Sequence, residues 1–203
     1  MNELSLGPIG SASLLLALAF SVWSLIAAWV GAVRRDAGLL TSSRLAGVAT
    51  FLAMSVAVAV MEIALLTDDF SVSYVAETSR AANPVWVKMV TLWAALEGSL
   101  ILWGWLLSGY WALLSLRAPN TPLRPWALAV MASVQTFFVL VPAVIAPPFE
   151  VMNPVPADGP GPNPLLQNHW MMAVHPFLMY LGFVGLTVPF AYAMAALITR
   201  RPG

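Results

Sequence analysis

The chain has 203 residues, of which 60% are hydrophobic and 9% charged, where an ordinary soluble domain carries roughly a quarter charged residues. Its formal net charge is zero and it has no cysteine. Disulfides, thiolate metal sites and thiol nucleophiles are therefore excluded, and nothing in the charge balance points to nucleic acid.

Five apolar runs follow one another near 11–33, 45–66, 87–116, 126–145 and 176–199. Each is long enough for a hydrocarbon core of about 30 Å, which takes roughly 20 helical residues. None shows the alternation of a barrel strand, and lipid tolerates only helices or closed barrels. The expectation is an all-α polytopic membrane bundle of five transmembrane helices, a single transmembrane domain over 1–203. Glu3 and the lack of Lys or Arg before the first run are wrong for a signal peptide. The first span is thus expected to remain in the mature protein.

Basic residues orient the bundle. Arg34, Arg35 and Arg44 lie between spans one and two, Arg117 and Arg124 between three and four, and Arg200 and Arg201 after five. Only Arg80 and Lys88 fall on the other side. The positive-inside rule then puts the N-terminus outside and the C-terminus in the cytoplasm. The loops 67–86 and 146–174 face outward, and both histidines lie on that side. The second of these loops is rich in proline and reads as a stiff, extended connector.

In a continuous third span Glu97 would lie about 13 Å along from Met89, at 1.5 Å per residue. A carboxylate there is costly, and either bonds a neighbouring helix or serves a cofactor pocket or proton path. Trp93, Glu97, Gly104 and Trp111 would share a face. Gly104 and Ser108 form a small pair suited to helix contact. Trp86 and Trp111 fit an interfacial belt, whereas Trp93, Trp103 and Trp105 lie deeper, as helix packing or as walls for a planar ligand. Glu62 sits about one turn inside the outer end of span two. In span five, Gly182 and Gly185 allow close helix approach, and Pro189 is expected to kink the helix.

The last loop and span read NPLLQNHWMMAVHPFLMYLGFVGLTVPFAYAMAALIT from Asn163 to Thr199. His175-Pro176 stands where the apolar run takes over, with His169 and Trp170 just before it. Imidazole at the mouth of a span can ligate a metal or haem iron, or can simply cap the helix. His169, six residues from His175, is badly spaced for one helical face and reads as a pocket-edge or structural residue.

Three stretches, TDDFSVSYVAETSR (67–80), LWAALEGSLILW (92–103) and NPLLQNHWMMAVHPFLMYLGFVGLTVPFAYAMAAL (163–197), together resemble the haem-lyase subunit family of cytochrome c maturation, CcmF. The second is similar to that family's Trp-X-X-X-Glu-Gly-Ser-Leu-X-X-Trp segment. The third is similar to its Asn-Pro-Leu-Leu-Gln loop, His-Pro pair and Tyr-X-Gly-X-X-Gly helix.

The resemblance implies covalent attachment of haem b to apocytochrome c at the periplasmic face of the bacterial cytoplasmic membrane. His175 is the implied axial iron ligand, with Trp170, Tyr180 and Phe183 as porphyrin contacts. Implied partners are a haem chaperone, apocytochrome c, and the remaining part of the lyase subunit or other maturation subunits, besides membrane lipid. Arg80 or Lys88 could pair with a haem propionate, or be solvated loop charges. Phe177 replaces the proline that usually follows His-Pro. The chain matches only the N-terminal part of the family pattern, so alone it is not expected to complete the reaction. The alternative is a non-catalytic scaffold or transporter subunit that docks a partner through its outer loops.

Overall fold

The computed structural model describes residues 5–117, 120–167 and 169–201, and these contain helices and no strand. Five helical stretches are long and apolar enough to cross a membrane: Leu6–Arg34, Ala37–Leu66, Leu96–Arg117, Arg124–Ile145 and Met171–Thr199. The molecule is a multi-pass membrane protein.

Helices α1 (Leu6–Arg34) and α2 (Ala37–Leu66) form an antiparallel hairpin. Arg35 closes α1 in the left-handed region, and the Asp36 side chain caps α2 by accepting from Leu39 N at 3.0 Å. Small residues let the two backbones approach closely. Ser24 and Ser43 exchange hydroxyl bonds across the seam, among buried Ala27, Ala28, Ala46 and Gly47.

The first outer loop holds two short helices, α3 (Ser73–Thr78) and α4 (Val85–Val90). Then come α5 (Leu96–Arg117) and α6 (Arg124–Leu140), the latter prolonged by a wider turn over Val141–Ile145. Finally α7 (Met171–Gly185) and α8 (Thr187–Thr199) divide the fifth span. Indole N–H groups tie the bundle together: Trp29 to Ser133 Oγ at 2.9 Å, Trp105 to Ser55 Oγ at 2.9 Å, and Trp111 to the Leu128 carbonyl at 3.2 Å.

The structure departs from the sequence expectation at several points. The third span is not continuous from 87 to 116. It breaks after α4 into a tight turn at Thr91–Trp93, and α5 starts only at Leu96. Trp93 is therefore not on one helical face with Glu97, Gly104 and Trp111. Trp111 is not a belt residue: it is fully buried, against Gly47, where a methyl group would come within 2.0 Å of its ring. Trp86 is exposed, as a belt residue should be.

In the fifth span the helix begins five residues earlier than the apolar run. The break falls at Leu186, because Pro189 then occupies the first turn of α8, where its missing N–H costs little. Gly185 lies against the Tyr110 hydroxyl, whereas a Cβ at Gly182 would meet nothing within 4 Å. Of these two glycines, only Gly185 serves a close approach among the described residues.

The second outer loop is more than a connector, because it is laced to the first. Ser73 N donates to the Glu150 carbonyl and Met152 N to that of Ser71, each at 2.8 Å. Phe149 is buried against Gly10 of α1. Asp158 Oδ1 accepts from the backbone N–H groups of Ala81 and Gly159, both at 2.9 Å. The Ala81 bond, then the Gly159 bond, hold its carboxyl below the usual aspartate range. A depressed folded pKa gives stability that is present above the unfolded value and lost as pH falls through the folded one. The protection of the Ala81 amide, its exchange rate taken relative to the intrinsic rate at each pH, is expected to hold from neutral pH downward and to fall only at the acid end.

Candidate functional site

The site is built around α7, the helix that carries His175. Ahead of it, Asn163 caps a short turn at Pro164–Leu166 by accepting from Leu165 N at 3.0 Å, and Gln167 Nε2 donates to the Pro162 carbonyl at 3.1 Å. The Asn-Pro-Leu-Leu-Gln stretch thus shapes the entry into α7. Trp170 precedes the helix and is 66% exposed.

His169 has a structural post. Its Nδ1 accepts from Met171 N at 3.1 Å, which ties the start of α7, and its ring stacks on Trp170 with centroids 5.9 Å apart. His175 lies one turn inside α7 rather than at its mouth, exposed, and without a hydrogen bond among the described residues. Among those residues no cluster of three or more His, Cys, Asp or Glu side chains is placed to hold a metal ion.

The two faces of α7 differ. Met171, His175, Leu178, Met179, Gly182 and Leu186 recur at three- and four-residue steps and are all exposed. Phe177, Tyr180, Leu181 and Val184 turn to the bundle. Tyr180 therefore does not stand beside His175: five residues on a helix turn it to the opposite side. Its hydroxyl donates to Ser99 Oγ at 3.3 Å, and its ring meets Trp103 with centroids 5.8 Å apart. Trp103 stacks in turn on Phe138 at 4.8 Å, and Trp93 meets Phe177 at 6.1 Å. Trp93 and Trp103 thus brace the back of α7. Trp93 Nε1 is buried and has no partner among the described residues. Phe183 is 59% exposed.

The Glu-Gly-Ser stretch has a role that spacing alone does not show. The break before α5 leaves carbonyls free, and Tyr74 from α3 answers them. Its hydroxyl donates to Thr91 O at 2.7 Å, with Leu92 O at 3.2 Å, and accepts from Ala95 N at 3.3 Å. Burial pushes the Tyr74 phenol above the ordinary tyrosine range, so it stays a neutral donor. Gly98 makes the room: a Cβ there would lie 2.0 Å from Leu92 O and 2.4 Å from the Tyr74 hydroxyl. Ser99 then donates to Trp93 O at 3.3 Å while receiving Tyr180. The motif is the seat of the His175 helix. Replacing Tyr74 by Phe is expected to cost about 1–3 kcal/mol, because buried backbone groups lose their partner. Thermal unfolding in detergent measures it.

Glu97 is half-buried in the first turn of α5, not midway along an unbroken span. It lines a cleft of about 160 Å³ beneath the outer loops with Tyr74, Glu77, Pro148 and Glu150. Lys88 is not a solvated loop charge either. It is 7% exposed and bonds Asp68 Oδ2 at 2.5 Å. Arg80 is exposed. The signal for the Lys88 pair lies in the sequence only as two charges twenty residues apart, with nothing to mark them as partners.

Comparison with known proteins gives the arrangement its lineage. A family model described as cytochrome C assembly protein matches residues 93–202. The chain is 37% identical over 196 residues to the cytochrome c-type biogenesis protein CcmF of Escherichia coli, covering 95% of this chain and 30% of that protein. It is 36% identical over 195 residues to the cytochrome c-type biogenesis protein CycK of Rhizobium meliloti, covering 95% of this chain and 29% of that protein. A solved structure of the cytochrome c haem lyase CcmF superposes with a TM-score of 0.83 at 42% identity, covering 99% of this chain and 32% of that one. The chain thus spans a little under a third of the length of the curated relatives it matches. With the family model matching more than half of its residues, this chain belongs to the cytochrome c assembly protein family.

Proposed function

We propose that this chain forms the haem-presenting part of a cytochrome c haem lyase, with His175 as an axial ligand to the haem being attached to apocytochrome c. The observation that carries this reading is the state of His175. It is exposed, free of hydrogen bonds among the described residues, and set on an apolar helix face with open space at Gly182. A porphyrin needs such a donor beside an apolar surface, and neutral imidazole is a standard iron ligand.

Haem enters here as substrate. His175 would hold the iron from one side, and the exposed Met171, Leu178 and Met179 would shield the ring from water. Trp93, Trp103 and Tyr180 act through position, fixing the rotation of α7 from behind; Trp170 flanks the entry. The chain offers one free imidazole, so the second axial ligand would come from elsewhere in the lyase assembly. Holding haem and apocytochrome thiols in register supplies orientation, with little acid–base chemistry asked of these residues. The name of the matched solved protein supports haem involvement; haem b, the haem chaperone, and apocytochrome c as acceptor belong to this proposal.

The same reading orients the molecule. Seven arginines and a single aspartate gather at one end of the bundle, while the remaining carboxylates fall to the other side with Arg80 and Lys88. That asymmetry supports an arginine end in the cytoplasm and an α7 entry at the periplasmic face of the bacterial inner membrane.

The test is an absorption spectrum of the protein purified gently with its co-purifying subunits. Wild type is expected to show a haem Soret band and His175→Ala to lose most of it. An unchanged band in the variant would remove His175 from haem binding.

A further inference from the structure

We infer that the cleft at the arginine-rich end of the bundle binds the headgroup of an anionic phospholipid. Four helix ends enclose it: the carboxyl ends of α1 and α8 and the amino ends of α2 and α6. Its volume is about 610 Å³, and its walls include Arg35, Leu40, Pro125, Trp126, Ile198 and Arg201.

The two guanidiniums come from different parts of the chain and line the same cleft. Both arginines are exposed, and the described residues give neither a carboxylate partner, since the ion pair found among them is Lys88–Asp68. Asp36, the carboxylate next to Arg35, is engaged in capping α2. Arg124, at the start of α6, is also engaged, its guanidinium donating to the Ser115 carbonyl. Arg35 and Arg201 therefore remain to meet an anion. Guanidinium matches phosphate oxygens in geometry and in charge.

The helix dipoles nearly cancel. The amino ends of α2 and α6 favour an anion at about half a charge each, and the carboxyl ends of α1 and α8 oppose it by the same amount. Two whole arginine charges decide the sign.

The rest of the wall selects a lipid over free phosphate. Leu40, Pro125, Trp126 and Ile198 line the cleft, and Ile198 is 40% exposed on a helix that crosses the bilayer. Trp126 stands edge-on to Trp29, with centroids 6.0 Å apart, which places two amphipathic rings at the membrane boundary. A phosphodiester carrying acyl chains satisfies the guanidiniums and the apolar walls together. Bare phosphate satisfies the first alone. Basic pockets between spans are a recurrent way of holding such headgroups, with roughly a five-fold gain in affinity per arginine at the surface.

The test uses the full chain in detergent, loaded with phosphatidylglycerol or phosphatidylcholine of identical acyl chains and read by native mass spectrometry. Wild type is expected to retain phosphatidylglycerol preferentially. Arg201→Gln should weaken that retention about five-fold, and the Arg35→Gln/Arg201→Gln double variant should erase the preference. Arg117→Gln, outside the cleft, should leave it unchanged. Equal retention of the two lipids by wild type, or an unchanged preference in the double variant, would overturn the proposal. So would displacement of the lipid by excess inorganic phosphate, which would mark a simple phosphate site. Arg201 is exposed near the end of α8, so its variant reads the site even if the double variant is unstable.

Discussion

Gly98→Ala is expected to yield a protein that no longer holds α7 in place. The added methyl carbon would sit 2.0 Å from the Leu92 carbonyl oxygen and 2.4 Å from the Tyr74 hydroxyl. Real carbons do not approach so closely, and the first obstacle is backbone, which cannot rotate aside. Either the tight turn at Thr91–Trp93 shifts or Tyr74 is expelled. If Tyr74 leaves, Thr91 O and Ala95 N lose their partner. Overpacking of this kind costs about 1–3 kcal/mol, and the lost hydrogen bonds add about 1–3 more. The strain passes to Ser99 and hence to Tyr180, so His175 should become misplaced without being touched. Thermal unfolding in detergent, with protease sensitivity at the entry to α7, measures the effect. A Gly98→Ala variant as stable and as protease-resistant as wild type would contradict this account of the motif.

The second large effect is expected at Lys88. Its ammonium is almost wholly buried at 7% exposure, bonded to Asp68 Oδ2 at 2.5 Å, while Asp68 Oδ1 is buried without a partner among the described residues. Lys88→Met leaves the Asp68 carboxylate uncompensated and should cost about 3–5 kcal/mol, as loss of one partner of a buried pair does. Lys88→Met combined with Asp68→Asn removes both charges, keeps a residue that tolerates the left-handed backbone at position 68, and should recover most of the loss. Paired unfolding measurements on the single and double variants decide it. The pair ties the end of α2 to α4, so the single variant is expected to open the first outer loop before the bundle melts.

How much of this was legible in the sequence depended on which force sets each feature. Burial in lipid sets the spans, so five long apolar runs led directly to five long helices. The break in the third span was hidden because its residues, Leu92, Trp93, Ala94, Ala95 and Leu96, are apolar too. What sustains the break is a tertiary contact, the Tyr74 hydroxyl reaching the freed carbonyls from α3, and no local pattern records it. Trp111 misleads for a similar reason. Its position near a span end suits an interface, yet its room is provided by Gly47 on a different helix.

The site divides in the same way. The family motifs drew attention to His175, Tyr180, Glu97 and the tryptophans together, but spacing did not show which of them pack against one another. Helical angles alone separate His175 from Tyr180, and the angle becomes meaningful only once the helix is known to begin at Met171. With that start, His175 faces outward and Tyr180, Trp93 and Trp103 form its support.

The most direct measurement of the central claim is chemical rescue of the ligand. His175→Gly removes the imidazole at a helix cost of about 1 kcal/mol, which a bundle of this size should tolerate. The purified variant, with its co-purifying subunits, is titrated with free imidazole while the haem Soret band is followed. Little haem is expected in the variant alone, with recovery of the wild-type band as imidazole takes the place of the missing side chain. Haem retained by His175→Gly without imidazole, or a band that imidazole leaves unchanged, would contradict ligation by His175.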